Sequence, residues 1–322
     1  MLKSRLCIAF FAFAVGCAPA QKPLTDYVNP MLGTATLWDS VDLGFKPTKR
    51  TWGAEVFPGS SLPNAMVQVS PVTKFHSGAG YQYEDSVIYG FTHTNKGHWN
   101  LCHIPLLPVT GTPTPGDYCS PFSHERESAA PGYYQVFLDR YGVDAQLSST
   151  LRCAFHKYTY PAGAAASLLA DLQRSNEHVR AWDIRKEGDN VFAGWQQTGE
   201  KMYFYAVANR PVTGIEPVVE GDREVRIVRF GEGDGALELR IGFSFVSEKN
   251  ARENLEAEML GKSFAEVRSE ATATWNDLLG RIRVEGGTER EKGLFYSSLY
   301  RSFLWPALRS DVNGEFLSLI HI

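Results

Sequence analysis

From about Asp26 to Phe245 the hydrophobic and polar positions alternate in short runs. Ala65-Met66-Val67-Gln68-Val69 and Tyr133-Tyr134-Gln135-Val136-Phe137-Leu138 show it, as do Arg152 to Tyr160, Lys201 to Ala208 and Ala236 to Phe245. A period of two places alternate side chains on opposite faces of a strand. Turn-forming residues separate the runs at Pro161-Ala162-Gly163, Gly188-Asp189-Asn190 and Gly231 to Gly235. Many short strands joined by short turns predict a mainly β fold, a large antiparallel β-sandwich. No internal repeat interrupts the pattern.

The period changes after Ser247. Glu248 to Leu260 has helix-favouring composition and stops at Gly261. Ser263-Phe264-Ala265-Glu266 fits a capping box, and Phe264, Val267, Ala271, Trp275, Leu278 and Ile282 then fall on one helical face. A strand-like piece, Ile282 to Gly286, follows. Thr288-x-x-Glu291 opens a third helix whose predicted apolar face is Phe295, Leu299, Phe303 and Leu304. Asp311-Val312-Asn313-Gly314 is a turn signal. One amphipathic helix does not bury its own face. The third helix therefore reads as the opening of a helical domain of which little is in the chain.

Composition narrows the function. The formal net charge is -4 with no basic cluster, so nucleic acid is not an expected partner. Lys3 and Arg5 precede the apolar run Cys7 to Val15, which is too short for a mature bilayer span. This is the form of an export signal. Ala14-Val15-Gly16-Cys17 resembles a bacterial lipobox, so Cys17 is a candidate for lipid attachment and residues 1–17 for the signal. Cleavage after Ala18-Pro19-Ala20 is the alternative. Either places the protein outside the cytoplasm, as a periplasmic or outer-membrane lipoprotein in the first case. Of the 5 Cys, three lie beyond this segment. Cys102 and Cys119 are the local disulfide candidates, with ordinary buried thiols as the preferred reading.

Candidate chemistry gathers in loops. Gly80 and Tyr81 sit in Ser77 to Tyr83, beside a predicted tight turn, and Phe57 precedes Pro58-Gly59. His93, His98 and His103 recur every five residues, a spacing that fits neither a helix face nor alternate strand positions, so a metal site has little support. A sugar cleft is a better use of the same loop. Trp99 has a flat face for a pyranose ring, and His93 and Asn100 hydrogen-bond to hydroxyls. A structural loop is the plainer reading. Glu84, Asp85, Asp117, Glu125 and Glu127 lie in loops without a partner at recognisable spacing, so no catalytic carboxylate pair is legible.

Taken together, Val28 to Thr34, Phe57 to Pro71, Ser77 to Tyr83, Gly90 to Thr94 and Pro131 to Val136 resemble the N-terminal part of glycoside hydrolase family 92, the bacterial calcium-dependent exo-α-mannosidases. Trp275 to Leu279, Phe295 to Tyr300 and Asp311 to Gly314 extend the resemblance. It implies a β-sandwich of the galactose mutarotase-like supersandwich type, then linker helices, then the truncated start of an (α/α)6 barrel. The corresponding boundaries are residues 18–246, 247–283 and 284–322.

The resemblance implies inverting hydrolysis of terminal α-mannosides at a site between sandwich and barrel, with calcium as cofactor and α-mannoside glycans as partners. It also implies that the acid, the base and the calcium ligands lie beyond residue 322, where a frameshift or shortened gene model would have removed them. The chain alone is then expected to be inactive, holding only pocket-wall residues: Phe57, Gly80, Tyr81, His93, Trp99 and Asn100. The alternative is a carbohydrate-binding module that cleaves nothing. The loop after His93, Asn95-Lys96-Gly97-His98-Trp99-Asn100, departs from the family's usual Leu-Ser-Gly-Thr-Gly and implies a different linkage preference.

Overall fold

A computed structural model describes residues 22–37, 44, 56–96 and 99–318. The expected signal, the lipid site Cys17 and His98 lie outside the described residues. Two antiparallel sheets face each other. The first has seven strands in the order Ser60–Ser61, Gln68–Val72, Gly90–Thr92, Leu106–Val109, Ser167–Ala170, Arg223–Phe230 and Val212–Glu220. The second has eight, in the order Ala181–Gly188, Val191–Gln197, Lys201–Ala208, Leu237–Ser244, Cys153–Thr159, Val143–Ser149, Tyr133–Leu138 and Glu127–Ala130. A two-stranded ribbon pairs Asn95–Lys96 with Trp99–Asn100.

The alternation seen in the sequence is what lets one sheet serve two layers. Ala154 and Tyr158 point between the sheets with Val136, Leu147, Phe204, Leu239 and Ile241. Their neighbours Cys153 and Phe155 point the other way, with Tyr133, onto Leu255, Met259, Phe264 and Val267. Leu255 lies in α1 (Glu248–Glu258), Met259 caps its C-terminus, and Phe264 and Val267 lie in α2 (Phe264–Leu279). Glycine permits the approach of α1: a Cβ at Gly242 would stand 2.1 Å from the Ala251 carbonyl oxygen.

The capping boxes predicted at Ser263–Glu266 and Thr288–Glu291 are both formed, the second at the start of α3 (Glu289–Ser302). The buried stripe of α2 is Phe264, Val267, Ala271, Trp275 and Leu279. The expected Ile282 is not part of it: that side chain is exposed, and Ile282 to Gly286 forms no strand because no neighbouring strand is there to pair with it. On α3 the buried face is Tyr296, Ser297 and Tyr300, while Phe295 of the expected face is exposed. Tyrosine sets the orientation: Tyr300 packs 4.4 Å from Trp275 and Tyr296 5.6 Å from Tyr27.

Polar anchors tie these helices to the sandwich. Trp275 Nε1 donates to the Ser61 carbonyl at 2.8 Å, and the Asn29 N–H donates to Ser297 Oγ at 2.9 Å. Gln68 Nε2 donates to the Leu304 carbonyl at 3.0 Å. Asp311 accepts from Ser244, Asn250 and Asn254 at 2.6 to 2.8 Å, fixing the Asp311 turn against α1. Cys102, Cys119 and Cys153 are free thiols, so the local disulfide candidate does not form.

Candidate functional site at one end of the sandwich

Beside the first sheet three segments meet: residues 73–80 after the strand Gln68–Val72, 93–96 and 99–104 after Gly90–Thr92, and 171–180 after Ser167–Ala170. Each is short of regular hydrogen bonds, and side chains supply them. Asn176 is the knot. Its Oδ1 accepts from the His76 N–H at 2.6 Å, and its Nδ2 donates to the Asn100 carbonyl at 2.6 Å. Asn100 reaches back, its N–H to the Gly78 carbonyl at 2.9 Å and its Oδ1 to the Cys102 N–H at 2.7 Å. Gln196 Oε1 accepts from the Ile104 N–H at 2.8 Å. These bonds hold His76, Cys102 and Ile104 at φ +59°, +52° and +53°, the left-handed region that L-residues avoid. Such concentrated backbone strain is a mark of functional loops.

Beside the knot lies an open groove of about 850 Å³, lined by His76, residues 173–182, Asp222 and Arg223. Its floor is set from beneath by Asp171, which is fully enclosed. The Asp171 carboxylate accepts from Tyr118 OH at 2.6 Å and from Arg223 Nη2 at 2.7 Å. Burial raises its pKa, opposed by those donors. Tyr118 OH in turn accepts from Arg174 Nη1 at 3.3 Å, and the Arg174 guanidinium lies over the rings of Phe75 and Tyr89 at 4.7 and 5.2 Å. Glu177 Oε2 accepts from Thr198 Oγ1 at 2.6 Å, and His103 Nε2 is 3.1 Å from the same hydroxyl.

The six residues expected to wall a sugar pocket are divided by the structure. Gly80, Asn100 and Trp99 come together at the three-loop junction. Gly80 is at φ +73°, where an added Cβ would stand 2.6 Å from Asn100 Nδ2. Trp99, on the hairpin above, is 51% exposed. Tyr81 is buried and donates to the Glu127 carboxylate at 3.0 Å, a carboxylate that also accepts from Tyr134 OH. Phe57 is buried with Trp275, Tyr296 and Tyr300. His93 is wholly enclosed between the sheets. Its Nε2 is 3.0 Å from Nε2 of His156, whose Nδ1 bonds Tyr158 OH at 2.5 Å. Burial lowers the His93 pKa to about 3 and holds His156 well below its ordinary value, so both rings are neutral. Phe57, Tyr81 and His93 are thus buried, as are Gly80 and Asn100, so that of the six only Trp99 is exposed.

The groove was not legible as a site. Its signal is the run Gln173-Arg174-Ser175-Asn176-Glu177-His178-Val179-Arg180-Ala181-Trp182, dense in planar hydrogen-bonding groups and ending in an aromatic. Among the described residues no three His, Cys, Asp or Glu side chains converge as metal ligands. They do not fit a calcium cage, and no step below runs through that ion.

Comparison with known proteins bears on this geometry. The model of the glycosyl hydrolase family 92 N-terminal domain matches residues 27–254, and that of the family 92 catalytic domain matches residues 250–320. A GH92 α-mannosidase from Bacteroides thetaiotaomicron is similar at TM-score 0.80 and 26% identity over 92% of this chain and 43% of its own. The same enzyme is known bound to mannoimidazole. A GH92 inverting mannosidase from that organism shares the fold at TM-score 0.77 and 24% identity, over 92% of this chain and 42% of its own. A secreted glycosidase of Arthroderma benhamiae is 24% identical over 90% of this chain and 42% of its own length. The chain thus spans less than half the length of these relatives.

Proposed function

Because the chain belongs to glycosyl hydrolase family 92, we propose that it serves an exported enzyme that hydrolyses terminal α-mannosides of glycans with inversion. Its own part is the sandwich wall of the glycan site. The observation that carries the reading is the unbroken match of residues 27–320 across both family domains, with the fold shared at TM-score 0.80 with an α-mannosidase. Export and, at Cys17, lipid attachment complete the proposal, supported by the signal-like N-terminus and by the secreted relative. Calcium would be held by residues other than those described.

An inverting glycosidase needs one carboxyl to protonate the leaving oxygen and another, roughly 6.5–9.5 Å away, to activate water. The most enclosed carboxylates here are committed elsewhere: Glu127 to Tyr81 and Tyr134, Asp171 to Tyr118 and Arg223, and Asp311 to Ser244, Asn250 and Asn254. We therefore expect the 322-residue chain to bind glycan without cleaving it. The test is mannose release from α-mannobiosides, run with this chain and with the product of the native locus. EDTA-sensitive release by the latter alone supports the reading. Release by this chain would overturn the assignment and point to Glu177 and Asp222, the carboxylates of the groove. Cleavage of another glycosidic class would overturn the substrate.

A further inference from the structure

We propose that the groove at residues 173–182 is an oligosaccharide-binding site in its own right, built to hold several sugar units of a neutral glycan. That the glycan contains mannose rests on the function proposed above; the groove itself does not.

Arg174, Arg180 and Arg223 bring donors, Glu177 and Asp222 bring acceptors, and Trp182, partly buried against the core with the Arg226 guanidinium 5.0 Å from its ring centroid, brings the part of its indole left exposed. A polyanion would meet the two carboxylates, and an apolar ligand would strip water from the guanidiniums without replacing it. Hydroxyls both donate and accept, so a sugar chain satisfies both sets. The volume, about 850 Å³, lies toward the upper end of the range for small-molecule sites and exceeds what one hexose needs.

The lining is also ordered before any ligand arrives. Arg174 is clamped between the Tyr118 hydroxyl and the Phe75 and Tyr89 rings, and Arg223 donates to both Asp171 and the Pro115 carbonyl. His76 is held in a left-handed conformation by Asn176. A fully buried acid is costly, and Asp171 Oδ1 has no partner among the described residues. Its evident return is the fixing of Arg223 and, through Tyr118, of Arg174. Pre-ordered side chains lower the entropy lost when a flexible oligosaccharide binds. Asp171 and Tyr118 are positioning residues and touch no ligand.

The test is calorimetric titration of the 322-residue chain with linear α-mannotetraose, and with maltotetraose and cellotetraose as other glycan classes. Arg180→Ala and Trp182→Ala probe the groove, and Trp99→Ala probes the hairpin. Thermal melts accompany each variant; Arg180 is exposed, so its replacement leaves the fold intact. Loss of one charge-assisted hydrogen bond weakens binding by roughly tenfold. That loss in Arg180→Ala, with an unchanged melt, is the expected result. Binding that survives both groove variants, or that is abolished by Trp99→Ala alone, overturns the groove and leaves the α-mannosidase reading standing. Binding of maltotetraose or cellotetraose alone, lost in the groove variants, keeps the groove and overturns the mannose assignment. Failure of all three glycans to bind overturns the groove.

Discussion

Two neutral imidazoles meet Nε2 to Nε2 between the sheets, and their burial makes the molecule's stability sensitive to acid. His93 titrates at about 3 and His156 is also lowered, both chiefly by loss of water. Unfolded, both return to about 6.5. Below that pH the unfolded chain binds more protons than the folded one, so stability falls as pH falls. The contribution is complete above about pH 7 and is lost at up to about 1.4 kcal/mol per pH unit for each ring. Urea midpoints at neutral pH and near pH 5 measure this; equal midpoints would contradict it. A second residue-scale expectation concerns Gly80. Alanine there is strained at φ +73° and drives its Cβ against Asn100. Gly80→Ala should cost about 1–3 kcal/mol and lower the melting temperature, whereas Gly163→Ala, with open space around it, should pay only the conformational part. The sequence showed Trp99, Asn100 and Gly80 as one loop cluster, but not the burial of His93. A polar residue in a turn reads as exposed, and only its partner His156, 63 residues away, reveals an interior ring.

Elements were easier to read than contacts, and the reason is periodicity. Tyr133–Leu138 and Lys201–Ala208 stand where the alternation put them, because each has one face on the core. The first helices were equally visible through their caps. The face of α3 was read in part: Leu304 is buried and Leu299 and Phe303 pack against the same cluster, but Phe295 is exposed, and Tyr296 and Tyr300, which count as less hydrophobic, supply the buried rings. Loop 171–182 carried no period at all, and its partners at residues 76, 100, 118 and 223 are set by topology. One element owes its place to a single carboxylate. Asp311 gathers three donors from Ser244, Asn250 and Asn254, far along the chain. Asp311→Ala would leave those donors unpaired in a buried setting, at about 1–3 kcal/mol for each group not rescued by water. The expected outcome is release of the segment after α3. Limited proteolysis should cut between residues 303 and 318 much faster in the variant, with the sandwich itself resistant; identical digestion patterns would show that the bonds from Gln68 Nε2 to the Leu304 carbonyl and from the Leu308 N–H to the Asn64 carbonyl suffice.

For the molecule as a whole, the stability of the sandwich and the calcium proposed for the reaction are separate matters. A cation stabilises a protein only through sites it holds in the folded state, by an amount that grows with the logarithm of free ion over its dissociation constant. Calcium takes six to eight oxygen ligands, several of them carboxylates. Among the described residues the buried carboxylates are instead neutralised by hydroxyl, amide, imidazole and guanidinium donors, as at Glu127, Asp171 and Asp311. Among the described residues the sandwich is therefore held by its apolar core and these internal donors. Thermal melts of the 322-residue chain should coincide, within about 1 °C, in millimolar calcium and in EDTA. A saturable upward shift on the order of 2 °C would correspond to about 1 kcal/mol. It would mean that this chain holds a cation site of its own, and the division of labour drawn here between a glycan-holding wall and the reactive groups would have to be redrawn.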